Sequence, residues 1–196
     1  MASFGAKYPC FAKIKTESES ALPTYENFVT IGRLVKADLS LSFASGKLYA
    51  DDSLAESVDE FISGTISMET DDVADEVAAL IYGAYVSGND GDKEVTYSAG
   101  DSAPMGGLAY YKALMRNGTK LYKGYHYPRV KATLGGDTAE TKGDSITFGT
   151  STTEFTVFEC NTGAWRITKE FDTEDEAAEW VDEMLDKDEE KVGFQE

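Results

Sequence analysis

The stretch VTIGRLVKADLSLSF, which spans residues 29–43, decides the fold class. Apolar and polar side chains alternate along it with a period of two, the pattern of a strand that buries one face. The apolar positions are Val29, Ile31, Val35, Ala37, Leu39, Leu41 and Phe43, interrupted by Arg33, and the polar positions are Thr30, Lys36, Asp38, Ser40 and Ser42. A strand of this length spans roughly 50 Å at about 3.3 Å per residue, whereas five or six residues are usual. The sequence therefore predicts a tall sheet.

Three β-hairpins are predicted around this strand. Residues 44–46 (ASG) offer a tight reversal into KLYADD. Asn117-Gly118 lies between two β-rich runs, and this dipeptide is the strongest short hairpin signal. Residues 145–160 and 161–171 predict the third hairpin, with a bulge or break between Phe148 and Phe155 where the alternation changes phase.

Two helices are predicted among the strands. Residues 71–84 carry apolar side chains at helical spacing, and Asp71 or Asp72 is placed to cap the first turn. Near the C-terminus, Thr173 and Glu176 form a capping box. The apolar face that follows this box consists of Ala177, Trp180, Val181, Met184 and Leu185. Both helices are expected to pack on a sheet.

Residues 51–64 leave two alternatives open, a short helical turn with Ser53 and Glu56 as a capping pair or a long loop that reaches a neighbour. The whole pattern predicts a β-rich α+β domain of two packed antiparallel sheets, a sandwich or a partly closed barrel, with one helix between strands and one at the C-terminus. Residues 1–186 are expected to form this single domain. Residues 187–196 are expected to form an acidic, mobile tail.

The charge balance bears on the function. The chain holds 36 acidic and 18 basic residues, a formal net charge of −18. This charge disfavours binding to phosphate backbones, and it opposes self-assembly unless specific pairing and burial offset the repulsion. Cys10 and Cys160 are expected to be free thiols in a reducing compartment. No run is apolar and long enough for a secretory signal or a membrane span, which predicts a soluble protein made in the cytoplasm.

The sequence has few groups suited to catalysis. His126 is the one histidine, and a single histidine within a strand is expected to be structural. The pairs Asp51-Asp52 and Asp71-Asp72 have turn and cap roles, so we expect no metal, no cofactor and no enzymatic activity. Five tyrosines share the second hairpin, namely Tyr110, Tyr111, Tyr122, Tyr125 and Tyr127. They predict either core packing between strands or a platform for a sugar or a protein.

Several stretches resemble one protein family in their order along the chain. They are GRLVKADLSLSFASGKLYADDSLAESVDEFISGTI from residue 32, YYKALMRNGTKLYKGYHYPRVKATL from residue 110, TKGDSITFGT from residue 141 and GAWRITKEFDTEDEAAEW from residue 163. Together they resemble the phi13-type major tail proteins of siphophages and related prophages. The specificity of the resemblance lies in the order and length of these stretches.

The resemblance implies a structural virion protein with a tail-tube fold. Six subunits would form a ring, rings would stack into a tube, and strands shared between neighbours would line the conduit for DNA ejection. The implied partners are other copies of the chain and the tail-tip, tape-measure and tail-terminator proteins, while DNA passes without specific binding. The protein would be assembled in the host cytoplasm and reside in the phage tail.

Two groups of residues are candidates for roles in such a tube. The candidate channel-facing residues are Lys36, Asp38, Ser40 and Ser42. The candidate residues of an inter-ring or inter-subunit loop are Asp51, Asp52, Ser53, Leu54, Glu56, Asp59 and Glu60. We further expect the channel to be predominantly acidic, because a basic wall would hold DNA.

Three other functions are compatible with the sequence. The nearest is a tube protein of a contractile tail or a secretion apparatus. The second is a β-sandwich that binds a carbohydrate or a protein through Tyr125 or Tyr127. The third is an enzyme, which would require a metal or a cofactor.

Overall fold

The computed structural model describes residues 2–50, 53–88, 93–137 and 149–187 of the chain. These residues form ten strands and two helices. The elements are β1 Ala2–Thr16, β2 Thr24–Thr30, β3 Leu34–Ala50, β4 Ser53–Thr70, α1 Asp75–Tyr82, β5 Tyr85–Ser87, β6 Glu94–Thr96, β7 Met105–Arg116, β8 Thr119–Asp137, β9 Ser151–Val157, β10 Ile167–Phe171 and α2 Glu174–Met184.

Eight of the strands form one antiparallel sheet in the described part of the chain. Its order is β2-β1-β7-β8-β9-β4-β3, and β5 and β6 form a separate two-stranded sheet. Strand β8 is the branch point, because residues 122–126 pair with β10 and residues 130–137 pair with β9 along the same edge. The large antiparallel sheet, the small second sheet and the two helices confirm the predicted β-rich α+β class.

The large sheet bends around the first hydrophobic core. The rings of Phe11 on β1 and Phe155 on β9 lie 6.1 Å apart, although β7 and β8 separate these two strands in the sheet. Ile66 of β4 and Ile81 of α1 are fully buried in the same cluster. The bend therefore brings strands from both halves of the sheet around one core, as in a sandwich.

Helix α2 covers the opposite face of β1, β7 and β8. Thr173 accepts a hydrogen bond from the Glu176 amide, and Glu176 accepts one from the Thr173 amide, so the predicted capping box is confirmed. The side chains of Trp180 and Leu185 are buried against this face of the sheet. Lys187, the first residue of the predicted tail, contacts the domain by donating hydrogen bonds to Asp182 and to the Tyr8 hydroxyl at 2.7 and 2.8 Å. The rest of that predicted tail lies outside the described residues.

The long strand predicted over residues 29–43 is wrong in one respect, because the chain turns a corner between β2 and β3. Gly32 has a φ of +147°, and a Cβ there would lie 2.2 Å from the Asp72 carbonyl oxygen. The Asp71 carboxylate accepts a hydrogen bond from the Arg33 amide at 2.8 Å. A bulge follows between Leu34 and Lys36, so Val35 faces solvent instead of the core and is 56% exposed.

The hairpin predictions had different outcomes. Asn117-Gly118 is confirmed as the turn between β7 and β8, with positive φ at both residues. The reversal at residues 44–46 is wrong, because β3 and β4 stay paired as far as Ala50 and Ser53. The third hairpin is also wrong, because β9 and β10 both pair with β8 and not with each other. Phe148, where a phase change was predicted, lies outside the described residues.

The first helix begins later than predicted. Helix α1 starts at Asp75, and Ala74 at its N-cap makes no side-chain capping bond. The caps predicted at Asp71 and Asp72 are wrong, because both carboxylates accept hydrogen bonds from backbone amides in the preceding corner. Among the described residues, no helix has the length and apolar character needed to cross a bilayer.

Candidate functional site

The four candidate channel-facing residues share the outer face of β3. Lys36, Asp38, Ser40 and Ser42 are all exposed, and Lys36 forms an ion pair with Asp38. Between them, residues 37, 39 and 41 point to the opposite side and are partly buried. The predicted alternation therefore holds from residue 36 to residue 42, and β3 presents one polar face.

Neighbouring strands extend this polar face beyond the residues predicted from the sequence. Residues directly opposite each other in antiparallel strands lie on the same face. The register across β3, β4, β9 and β8 aligns Ser40, Thr65, Thr156 and Lys131 in one row and Asp38, Ser67, Glu154 and Thr133 in the next. Period-two alternation in SGTISMET and STTEFTV could have revealed these positions.

This four-strand face is rich in hydroxyl groups and nearly neutral. Its register also aligns Lys36 with Glu69 on β4 and Thr152 on β9. The three aligned rows hold two cations, Lys36 and Lys131, and three carboxylates, Asp38, Glu69 and Glu154. A surface of this kind hydrogen-bonds water and carries almost no net charge.

Strand β3 has a long edge that no described strand occupies. It is the last strand of the sheet, and its 17 residues span about 56 Å at about 3.3 Å per residue. The opposite end of the sheet is β2. Unpaired backbone groups along such an edge are ready to pair with a strand of another chain.

The segment predicted as a contact loop is a strand. Residues 64–70 of β4 pair with both β3 and β9, whereas residues 53–61 pair with β3 alone. Residues 44–50 and 53–60 therefore form a two-stranded projection, which we call the ribbon. At its base the rings of Phe61 and Trp165 stack with centroids 4.6 Å apart.

The candidate contact residues are distributed along this ribbon. Ser53, Leu54 and Glu56 occupy paired positions of its outer end, and Asp59 and Glu60 are exposed nearer its base. Asp51 and Asp52 lie outside the described residues. The structure corrects the loop to a strand, and the contact role of these residues stays a prediction.

His126 is fully buried beneath α2. The Tyr25 hydroxyl donates to the Pro128 carbonyl at 2.9 Å and lies 3.2 Å from His126 Nε2. Because the single phenol proton is used in the first contact, Nε2 is the donor in the second. Nδ1 has no hydrogen-bond partner among the described residues, and burial lowers the pKa of His126 to about 3. The imidazole is therefore neutral at pH 7.

The five tyrosines of the second hairpin do not form one platform. Tyr110, Tyr125 and Tyr127 face the first core, where Tyr110 lies 5.3 Å from Tyr125 and 6.2 Å from Tyr127. Tyr111 and Tyr122 face α2 on the other side of the sheet. Only Tyr125 of the five is half-buried and the others are buried. The core-packing interpretation is thus confirmed for four of the five rings.

Both cysteines are buried free thiols, as predicted. Burial raises the pKa of Cys10 to about 12, so its thiolate is strongly disfavoured. No group of three or more His, Cys, Asp or Glu side chains is placed to hold a metal within the described ranges.

Comparison with known proteins gives no indication of function, so the functional argument rests on the fold and its surfaces. The chain matches no protein-family model and no curated protein.

Proposed function

We propose that this chain is a structural subunit that assembles edge to edge into hexameric rings, which stack into the tube of a siphophage tail. The observation that carries the proposal is the combination of features on β3. Its long free edge is suited to pairing with another chain, and its outer face continues the hydroxyl-rich surface of β4, β9 and β8. One strand thus supplies both a site for assembly and part of a polar wall.

Closing a ring would pair the exposed sheet edge of each subunit with a neighbouring subunit. Exposed edges invite uncontrolled aggregation, and a closed ring removes that hazard by pairing each edge with a neighbour. Lys36, Asp38 and Lys47 place charges along the edge strand, which discourages pairing in other registers. The resemblance to major tail proteins over residues 32–180 supports the same assembly.

The wall proposed for the channel suits the passage of DNA. A basic wall would bind duplex DNA by releasing its counterions. The three rows of the β3–β4–β9–β8 face hold two cations against three carboxylates, so this part of the wall is nearly neutral, whereas the sequence predicts a predominantly acidic one. It still offers no net positive charge to phosphates. DNA would pass without specific binding. A ring structure with a lumen lined mainly by lysine and arginine would refute this assignment.

The remaining partners and the location follow from the resemblance alone. Tail-tip, tape-measure and tail-terminator proteins would contact the two ends and the inside of the tube. The subunits would be assembled in the host cytoplasm and would reside in the virion. A binding module has less support, because Tyr127 of the proposed platform is buried.

Negative-stain electron microscopy of the purified chain at rising concentration and salt tests the proposal. Salt shortens the range of the repulsion between subunits of formal charge −18, so rings or hollow tubes are expected to increase with ionic strength. Six-fold rings would support the proposal. Chains that stay monomeric in every condition, and that do not polymerise on added tail-tip complexes, would contradict it.

A further inference from the structure

Charge is unevenly distributed along the chain. Residues 102–136 contain six cations and no carboxylate, although the whole chain carries 36 carboxylates. Residues 51–60 contain five carboxylates and no cation. The first segment forms most of β7 and β8, and residues 53–60 of the second form one side of the ribbon. An acidic protein thus has one hairpin with an excess of cations and another, residues 44–60, whose five carboxylates outnumber its single cation, Lys47.

Part of the basic hairpin forms a surface around Tyr125. Lys112 lies directly opposite Lys123, and their Nζ atoms are 4.9 and 5.9 Å from the centroid of the Tyr125 ring. Arg116 lies on the same face of β7 as Lys112, two residues beyond Leu114, which pairs with Leu121. Arg166 directly precedes β10, whose Ile167 pairs with His126, so Arg166 lies beside Tyr127 on this side of the sheet. We call Lys112, Arg116, Lys123, Tyr125 and Arg166 the basic surface.

The basic surface has more cations than local carboxylates. Glu170 lies 2.9 Å from Arg116 and 3.9 Å from Lys123, so these two cations share one carboxylate. Arg166 lies 4.7 Å from the centroid of the Trp165 ring. Within the described part of the chain, neither Lys112 nor Arg166 forms an ion pair. The surface therefore keeps positive charge that no described carboxylate neutralises.

The ribbon has the complementary properties. Its two strands pair with each other and with no third described strand, and an isolated two-stranded hairpin is marginally stable in water. Asp59 and Glu60 are exposed and form no ion pair with any described cation. A partner that covers the ribbon would both neutralise these carboxylates and hold its strands.

We propose that the basic surface of one copy of the chain receives the acidic ribbon of another copy. This inference rests on the proposed function, and it identifies the two surfaces that meet. Complementary charge orients an association and disfavours other orientations.

Disulfide trapping between two different chains tests the contact directly. Ser57 is exposed on the ribbon, and Thr168 is exposed on β10 opposite Tyr125. A tagged S57C chain mixed with an untagged T168C chain should form a mixed disulfide dimer on oxidation. The matched control is K169C, one residue along β10 with its side chain over Phe171 on the opposite face. The native cysteines are buried and should not interfere.

Two results of this experiment would overturn the inference. Equal dimer yields from T168C and K169C would show that the ribbon does not prefer the basic surface. An intrachain disulfide in the S57C/T168C chain, without mixed dimers, would show that the ribbon folds onto its own surface. Mixed dimers from a protein that never forms rings would support the contact while contradicting the tube.

Charge reversal supplies a second, independent measurement. K112E/K123E should weaken self-association at least about tenfold in sedimentation velocity, because it places like charges opposite the ribbon. K120E/K169E makes the same change in net charge on the α2 face of β8 and β10, and it should associate like the wild type. Adding D59K/E60K to K112E/K123E should restore association.

The charge-reversal variants also distinguish failure of this inference from failure of the proposed function. If the wild type forms tubes and K112E/K123E forms them equally well, the inference is wrong and the proposed function stands. If K112E/K123E assembles normally but loses binding to a 20-base-pair duplex in fluorescence anisotropy, the surface serves DNA and the inference is again wrong.

Discussion

Replacing Gly124 with alanine should loosen α2 from the sheet. Gly124 lies on β8 beneath Trp180, and a Cβ at this position would be 2.4 Å from Cε3 and Cζ3 of the indole ring. Ordinary contacts between carbon atoms are 3.5–4.0 Å, so the ring or the helix must retreat by about 1 Å. Trp180 is buried and belongs to the cluster that holds α2 on β7 and β8.

The size of the effect follows from two opposing terms. Forcing an extra carbon into a packed core typically costs about 1–3 kcal/mol. Alanine is less costly than glycine in a strand by roughly 0.5–1 kcal/mol, which offsets part of that loss. A net destabilisation of about 1–2 kcal/mol is expected, which corresponds to a melting temperature lower by about 2–8 °C for a domain of this size.

Urea and thermal unfolding below the concentration of assembly measure the change. Gly46 on β3 is the matched control, because an added Cβ there would have no described atom within 4 Å apart from those of its chain neighbours. G46A should be neutral or slightly stabilising. W180F removes the ring atoms that meet the new methyl group, so the double variant G124A/W180F should be less destabilised than the sum by at least about 0.5 kcal/mol. A G124A protein as stable as G46A would refute the reasoning.

Two further predictions concern the stability of the same domain. Burial lowers the pKa of His126 to about 3, below the unfolded value of about 6.5, so the unfolded chain binds a proton first as the pH falls. The stability that the neutral imidazole provides is complete above about pH 6.5, and the free energy of unfolding falls by about 2 kcal/mol at pH 5. In urea unfolding at pH 5 and pH 7, H126Q should therefore lose less stability between the two pH values than the wild type does. An equal loss in both proteins would contradict this prediction. T173A removes the acceptor of the Glu176 amide and should cost about 1 kcal/mol, whereas T173S should stay near the wild type in the same assay; equal losses would argue against the cap.

The sequence predicts those elements whose signals are local. Asn117-Gly118 carries both positive φ values of a tight turn within two residues, and Thr173 and Glu176 satisfy each other within one helical turn. The polar face of β3 was predicted because alternation is also a local property. These predictions do not depend on which distant segment of the chain packs against each element.

The errors involve contacts between residues far apart in the sequence. The corner at Gly32 exists because the carboxylate of Asp71 and the backbone of Asp72 approach it, and nothing near residue 32 reveals that approach. Strand β9 was expected to pair with its successor, but the long edge of β8 has room for both β9 and β10. Bulges shift the alternation at Val35, which period-two counting cannot anticipate.

The distribution of charge addresses a difficulty in the proposed assembly. A subunit with a uniform charge of −18 would repel its neighbours in every orientation, and a long free edge would then pair, once salt screens the repulsion, without regard to register. In the proposed contact, cations concentrated on β7 and β8 and carboxylates concentrated on the ribbon would make one orientation favourable while the others stayed repulsive. The same excess of negative charge that keeps free subunits apart would then help to select the register in which they join.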